Sequence, residues 1–385
     1  MQISSLRLNS FRNYEQLKLN FADNVNIFYG DNAQGKTNIL EAIFLCAAGR
    51  SHRTSRDNDL IKFNNNGYFI SLDIKRNNSE SNVEIVYSNN EKKKIKINDK
   101  PITKIGDLMG NLNAVLFSPE DLMIIKEGPS ERRRFIDITL CQLKPSYFYD
   151  LQMYNKVLHQ RNTLLKNIQQ KPSLNETLDV WDNNLIIIGS KIVKARKEFV
   201  DNLNLFIEAT HYGLTDDSEK LSIEYQPSFD IFQDKNKKDN KNERERDIIS
   251  IKDIEKEFRN RLESLRRKEI LRAVTLVGPQ RDDYEIKLND TSIKMYGSQG
   301  QQRTAILSIK LSEIEIMRQS TGECPVLLLD DVLSELDKKR QEYLLSRLGN
   351  IQTFITSTDK YLVTGKERVE QYKYYYVYSG KVRED

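Results

Sequence analysis

Eight residues near one end of the chain, Gly30-Asp31-Asn32-Ala33-Gln34-Gly35-Lys36-Thr37, fit the pattern G-x-x-x-x-G-K-[ST], whose chemistry is the holding of a polyphosphate. Gly30 and Gly35 permit backbone conformations that a β-carbon hinders. Successive N–H groups from Asp31 to Lys36 can then point into one concavity at a helix N-terminus, where the dipole favours anions. Lys36 would reach the β- and γ-phosphates of ATP, and the Thr37 hydroxyl would ligate Mg²⁺. At average glycine usage the pattern arises by chance about once in a hundred chains of this length.

A second group stands far along the sequence. Pro325-Val326-Leu327-Leu328-Leu329-Asp330-Asp331 is an apolar run closed by two carboxylates. A buried parallel strand has this composition and delivers its acids at the C-terminal edge, where open α/β sheets bind ligands. Asp330 suits the water-mediated Mg²⁺ shell opposite Thr37, and Asp331 suits the orientation of an attacking water. Alone, the run could also be a strand that merely stops at a polar loop. Beside the Gly30 loop it completes one Mg-nucleotide site.

The third group, Tyr296-Gly297-Ser298-Gln299-Gly300-Gln301-Gln302-Arg303-Thr304, precedes a helical pattern, and Ser334-Glu335-Leu336-Asp337 directly follows the paired acids. These resemble the signature motif and D-loop of ABC-type ATPases. The resemblance implies that Ser298 and Gly300 cap the γ-phosphate held by a second copy, with Gln301 among the nucleotide-binding residues.

These groups must be positioned by a sheet and its helices. Ile3, Leu6 and Leu8 begin a strand, Leu17 and Leu19 alternate in another, and the apolar run Val25 to Tyr29 stops at Gly30. Tyr68 to Ile74, Val83 to Tyr87 and Lys94 to Ile97 alternate with period two between Asn-rich turns, which predicts an antiparallel meander. From about Ser130 to Leu271 helical patterns dominate. Trp181, Leu185, Ile188, Ile192, Ala195 and Phe199 recur at helical spacing on one face; Leu151, Tyr154, Leu158 and Leu165 suggest a similar face, as do Phe258, Leu262 and Leu265. After Gln280 strand and helix alternate again: Tyr284 to Leu288, a helix around Thr304 to Arg318, Val326 to Leu329, a helix opening near Asp337, and Thr353 to Thr356. The predicted fold is α/β, a P-loop ATPase head with a mixed sheet, an antiparallel meander and an inserted helical lobe. Lobe I comprises residues 1–118 and 303–385; lobe II comprises residues 119–302 and ends in the signature segment. Residues 234–247 (DKNKKDNKNERERD) form a solvated loop or one that contacts DNA.

At this point a family resemblance becomes specific. The wording YGSQGQQRT, LLLDDVLSELD, N-S-F-R-N-Y at Asn9 to Tyr14, S-P-E-D-L at Ser118 to Leu122, G-P-S-E-R-R-R-F-I-D at Gly128 to Asp137 and G-P-x-R-D-D at Gly278 to Asp283 is similar to that of the RecF family of SMC-like ATPases. The resemblance spans nearly the whole chain. It implies an ABC/SMC-type head, an ATP-dependent homodimer, binding to single-stranded or gapped DNA, slow hydrolysis, help in loading a recombinase at gaps, and mediator partners of the RecO and RecR type. Against the family's pattern, Gln280 stands where a histidine is usual. Against ABC enzymes generally, Asp331 replaces a glutamate, and no histidine follows the last strand at Thr356-Ser357-Thr358. The same resemblance puts Arg12 near the adenine; Ser51 to Ser55 follows the first helix closely enough to border the nucleotide, although an ordinary polar loop residue is the plainer reading of His52.

Composition sets limits on the rest. With 60 Lys plus Arg against 56 Asp plus Glu in 385 residues, net charge is +4, too balanced to announce nucleic-acid binding. Local basic clusters remain: Arg132-Arg133-Arg134; Lys191, Lys194, Arg196 and Lys197; Arg259, Arg261, Arg266, Arg267 and Lys268. Each is either a solvated helix face or a patch that neutralises phosphates without reading bases. Cys46, Cys141 and Cys324 are far apart and three histidines accompany them, so neither a disulfide framework nor a zinc site is expected. No run approaches the ~20 apolar residues of a membrane span, and a cytoplasmic protein without a membrane partner is expected. A second reading has ATP binding alone, rather than hydrolysis, close a DNA clamp or scaffold.

Overall fold

The computed structural model describes residues 1–77, 79–89, 91–216, 218–231, 250–349, 351–360 and 372–385; the polar segment 234–247 lies outside the described residues. The first part of the chain forms β1 (Gln2–Phe11), β2 (Tyr14–Asn20), β3 (Val25–Tyr29), α1 (Lys36–Ala48), β4 (Gly67–Arg76), β5 (Ser79–Ser88), β6 (Lys94–Ile97), β7 (Lys100–Ile102) and β8 (Ala114–Phe117). Then come α2 (Met123–Lys126), α3 (Pro129–Leu143), α4 (Pro145–Gln170), α5 (Leu178–Thr215), β9 (Leu221–Gln226) and α6 (Ile251–Arg272). The last part holds β10 (Asp283–Leu288), β11 (Thr291–Ser292), α7 (Ile293–Tyr296), α8 (Gln299–Thr321), β12 (Val326–Asp330), α9 (Lys338–Leu348), β13 (Thr353–Ser357), β14 (Tyr372–Tyr378) and β15 (Lys381–Glu384).

Among the described residues these strands form three sheets. The expected meander is a six-stranded antiparallel sheet ordered β2-β1-β4-β5-β6-β7, closed at one end by a two-residue hairpin whose Asn98 and Asp99 take the left-handed φ of 51° and 62° that such a turn demands. The mixed sheet is ordered β15-β14-β3-β13-β12-β8, with β14, β3, β13, β12 and β8 parallel and β15 antiparallel at the edge. A small antiparallel sheet, β11-β10-β9, lies beside the long helices.

The strands of the parallel sheet are apolar throughout because both faces are covered. Phe28, Leu328 and Phe354 join the large core shared with α1 and the meander, whereas Ile27, Leu327, Leu329 and Ile355 join a second core under α8 and α9. The helices α4, α5 and α6 pack together. At 38 residues α5 is about 57 Å long, and its predicted stripe turns inward at Leu185, Ile192 and Phe199. This helical part also buries charge. Arg161 is fully buried between Asp182 at 2.6 Å and Glu269 at 2.7 Å, and Arg196 bridges Asp137 at 3.0 Å and Asp282 at 3.2 Å. The residue 302/303 division lies in the first turn of α8, one continuous helix running from the signature segment onto the parallel sheet. Among the described residues no helix is long and apolar enough to cross a membrane.

Candidate nucleotide site

The loop between β3 and α1 is shaped by its glycines. Gly30 and Gly35 take φ of 143° and 119°, and Ala33 between them takes 63°. A β-carbon on Gly30 would lie 2.3 Å from the Val377 carbonyl oxygen of β14, and one on Gly35 would lie 2.4 Å from the Asn13 amide. The obstacle at Gly30 is backbone and at Gly35 is side chain, and at both positions the positive φ strains any residue but glycine. Asp31, Asn32 and Ala33 are exposed, whereas Gly35 and Lys36 are buried.

The loop is held by groups that spacing did not identify. Asn13 Nδ2 donates to the Gln34 carbonyl at 2.7 Å, and the Tyr14 hydroxyl donates to the Gly35 carbonyl at 3.0 Å. The turn after β14 donates from the Ser379 and Gly380 amides to Gln34, at 2.6 Å and 3.2 Å. The β1–β2 turn and the β14–β15 turn thus clamp the loop from two sides. Interactions with main-chain carbonyls leave no periodic trace in a sequence; only the N-S-F-R-N-Y wording pointed at Asn13 and Tyr14.

Lys36 folds back into its own loop. Its ammonium donates to the carbonyls of Gly30 at 2.6 Å and Asp31 at 2.7 Å. Burial draws its pKa below the ordinary lysine value, opposed by Asp331, Asp31 and Asp330. At the end of β12, Asp330 Oδ1 accepts from Thr37 Oγ1 and from Thr356 Oγ1 of β13, both at 2.8 Å. Burial raises the Asp330 pKa, while those two hydroxyl contacts work against it. Asp331 takes a left-handed φ of 54°; its N–H donates to Thr356 Oγ1 at 2.9 Å, and Ser334 of the next turn donates to its carbonyl at 2.7 Å. Residues nearly 300 positions apart are therefore brought together: a hydroxyl and a carboxylate side by side, an ammonium in the adjoining loop, and a second carboxylate at the strand's end. Oxygen donors of this kind suit Mg²⁺, and a glycine cradle at a helix start suits phosphate.

Ser298, Gly300 and Gln301 are elsewhere. Ser298 caps α8: its Oγ accepts from the Gln301 amide at 3.2 Å, and its own amide donates to Gln301 Oε1 at 2.8 Å, a capping box. None of these residues hydrogen-bonds to residues 30–37, and Ser298 and Gly300 are exposed. Gly297 is needed by the fold, since a β-carbon there would strike Ile293 at 2.5 Å; one on Gly300 would meet nothing nearer than Ser298 Oγ at 4.0 Å. Arg303 ties this helix to the segment after Asp331 by donating to the Glu335 carbonyl at 3.1 Å.

Arg12 is engaged by Glu41 of α1, through contacts of 2.8 Å and 2.6 Å. His52 packs edge-on against Phe44 with centroids 5.6 Å apart, its Nδ1 buried without a hydrogen-bond partner among the described residues. Gln280 accepts from Tyr154 and donates to the Val277 carbonyl, a place in the packing of the helical part. Two arginines of the basic clusters are not on the surface: Arg132 is 8% exposed and Arg196 is 2% exposed. Arg132 grips Asp283 through Nε and Nη2, at 2.7 Å and 3.0 Å, so the G-P-x-R-D-D segment is an anchor for buried arginines. Cys46 and Cys141 are buried and free.

Comparison with known proteins agrees with this architecture. The RecF/RecN/SMC N terminal domain family matches residues 2–380. The DNA replication and repair protein RecF of Acetivibrio thermocellus is 53% identical over 383 residues, covering 98% of this chain and 100% of that one. Its counterpart in Ruminiclostridium cellulolyticum is 52% identical, covering 94% of this chain and 93% of that one. The solved structure of the recombination mediator protein RecF–ATP in the RecFOR pathway superposes with a TM-score of 0.88 at 37% identity, covering 100% of this chain and 97% of that one. An Smc head bound to the C-winged helix domain of ScpA shares the fold alone, with a TM-score of 0.54 at 13% identity over 100% of this chain and 97% of that one. The chain belongs to the RecF family of ABC/SMC-type ATPases.

Proposed function

We propose that this chain binds Mg-ATP between the Gly30–Thr37 loop and Asp330, pairs head to tail with a second copy, and in that closed form holds DNA during recombinational repair and replication. The observation that carries the pairing is Gly300. A glycine inside a helical turn costs ~1 kcal/mol against alanine, and no neighbour among the described residues excludes a β-carbon there. An exposed helix start with room for close approach suits a phosphate supplied from outside. The solved RecF–ATP structure supports the nucleotide assignment.

In this reading the loop amides and Lys36 hold the phosphates of ATP, and Lys36 exchanges the carbonyls of Gly30 and Asp31 for phosphate oxygens. Thr37 and Asp330 hold Mg²⁺, which when bound neutralises charge on the β- and γ-phosphates. Asp331 orients the attacking water, and Ser298 and Gly300 of the second copy close over the γ-phosphate, with Gln301 keeping that turn in shape. An aspartate reaches one methylene less than the usual glutamate, so turnover is slow. DNA is held through its phosphates and without base readout. Family membership and the RecFOR pathway named for the solved relative support help in loading a recombinase at gaps, with partners of the RecO and RecR type.

Sedimentation of the purified protein tests this reading. Wild type is expected to be a monomer without nucleotide and a dimer with Mg-ATP, and Lys36→Ala to remain a monomer in both. A wild-type monomer at saturating Mg-ATP overturns the trans arrangement.

A further inference from the structure

The signature turn is tied to the far end of the helical part by a residue that no motif marks. Glu219 sits between the end of α5 and the start of β9. Its Oε1 accepts from Gln301 Nε2 at 2.7 Å. The same Gln301 accepts the Ser298 amide through its Oε1, so one side-chain amide spans the cap and the carboxylate. The other oxygen of Glu219 lies 3.4 Å from Nε2 of His211 on α5, a fully buried imidazole. His211 Nδ1 contacts Ser308 Oγ at 2.9 Å. From there the contacts return along α8: Ser308 to the Thr304 carbonyl at 2.9 Å, and Thr304 Oγ1 to the Gly300 carbonyl at 2.8 Å. Glu219 thus holds Gln301 directly; His211 lies beside it but donates through Nδ1 to Ser308, whose one hydroxyl proton goes to Thr304, so its Nε2 makes no hydrogen bond to the carboxylate.

We propose that Glu219 is a positioning residue for the trans-acting signature turn, fixing Gln301 and through it the Ser298 that meets the partner copy's nucleotide. The proposal rests on the head-to-tail reading above. A free Gln301 side chain would have several rotamers; Glu219 selects the one whose oxygen faces the Ser298 amide. Glu219 touches no nucleotide of its own subunit in this arrangement, so losing it affects association and spares primary binding.

The test uses three full-length variants: Glu219→Ala, Glu219→Gln and Lys36→Ala. Affinity for a fluorescent ATP analogue is measured at protein concentrations below those that support dimers, and ATP-driven association is measured by sedimentation. We expect Glu219→Ala to bind the analogue within about twofold of wild type and to associate about tenfold more weakly per composite site, the effect of one charge-assisted hydrogen bond. Glu219→Gln keeps an acceptor for Gln301 and is expected to remain near wild type. Labelled Lys36→Ala, monomeric alone, supplies an intact signature turn; mixed with Glu219→Ala it is expected to sediment as a dimer to the extent that it does with wild type. Normal association of Glu219→Ala overturns the proposal, and so does failure of Glu219→Ala both alone and in the mixture, which marks general damage. A wild type that stays monomeric with ATP overturns instead the head-to-tail reading on which the proposal stands.

Discussion

Asp331 shows how one residue's backbone sets its chemistry. A left-handed φ is disfavoured for a residue with a β-carbon by roughly 1–2 kcal/mol, and here it is held by the amide contact to Thr356 and the Ser334 contact to its carbonyl. Asp330 continues the strand and turns its carboxylate to Thr37, whereas Asp331 leaves the strand direction at once. Two adjacent acids thereby take different environments, a buried one and a half-buried one. If Asp331 orients water, Asp331→Asn is expected to slow single-turnover hydrolysis by roughly 10²-fold or more, the scale of a lost general base. It leaves ATP affinity in place and lengthens the life of the ATP-bound dimer. Wild type itself is expected well below the ~10 per second of a typical enzyme. A variant that hydrolyses ATP like wild type removes Asp331 from the mechanism.

At the scale of elements, legibility followed burial pattern. β3, β12 and β13 were readable because double burial leaves uninterrupted apolar runs, and Gly30 and Asp330 mark where two of them stop. The stripe of α5 was readable for the same reason at a period of 3.6 residues. β14 was not, since YKYYYVY puts an aromatic at nearly every position and hides the alternation. Within the site, Lys36, Thr37 and Asp330 carry side-chain chemistry and could be found by type and spacing; Asn13, Tyr14 and Gly380 act on main-chain groups and could not. Another feature beyond sequence is the cavity of about 110 Å³ where α1, β8, α3 and α8 meet. Its walls include His52, Asp121, Lys310 and Glu313, with Lys310 paired to Glu313 at 2.6 Å. Burial lowers the His52 pKa to about 4 and raises that of Asp121 to about 6. The two act in opposite senses. A histidine with a depressed folded pKa takes its proton more readily when unfolded, so its contribution is present above pH ~6.5 and is lost as pH falls toward 4. A carboxyl with a raised folded pKa gains its proton in the folded state, so its contribution grows as pH falls through 6. Between pH 7 and 5 His52→Gln is expected to remove an acid-side loss of about 2 kcal/mol, and Asp121→Asn to remove a gain. Unfolding midpoints in urea at the two pH values check both signs; equal pH dependence in wild type and His52→Gln contradicts a buried neutral imidazole.

For the whole molecule, net charge conceals which cations are free to meet DNA. Arg132 and Arg196 are committed to Asp283, Asp137 and Asp282 inside the helical part, while Arg133 and Arg134 donate to the carbonyls of Asp282 and His52. Lys191, Lys194 and Lys197 stand within 4 Å of Asp150, Glu198 and Asp201. The outer face of α6 is different: Arg261, Arg267 and Lys268 are exposed there. Each phosphate neutralised by such a side chain adds about 0.9 to the slope of log affinity against log salt for duplex DNA, or about 0.7 for a single strand. Replacing Arg261, Arg267 and Lys268 together with alanine is therefore expected to weaken binding uniformly across sequences and to flatten that slope by as much as ~3, if all three reach phosphates. Arg132→Ala is expected to act otherwise. It strands the partly buried Asp283 carboxylate, lowers the unfolding midpoint, and leaves the slope of the protein that remains folded unchanged. Fluorescence anisotropy of labelled gapped DNA between about 50 and 200 mM salt distinguishes the two. An unaltered slope in the α6 variant moves the DNA to another face, and a flattened slope in folded Arg132→Ala means that this arginine is released from Asp283 when DNA binds.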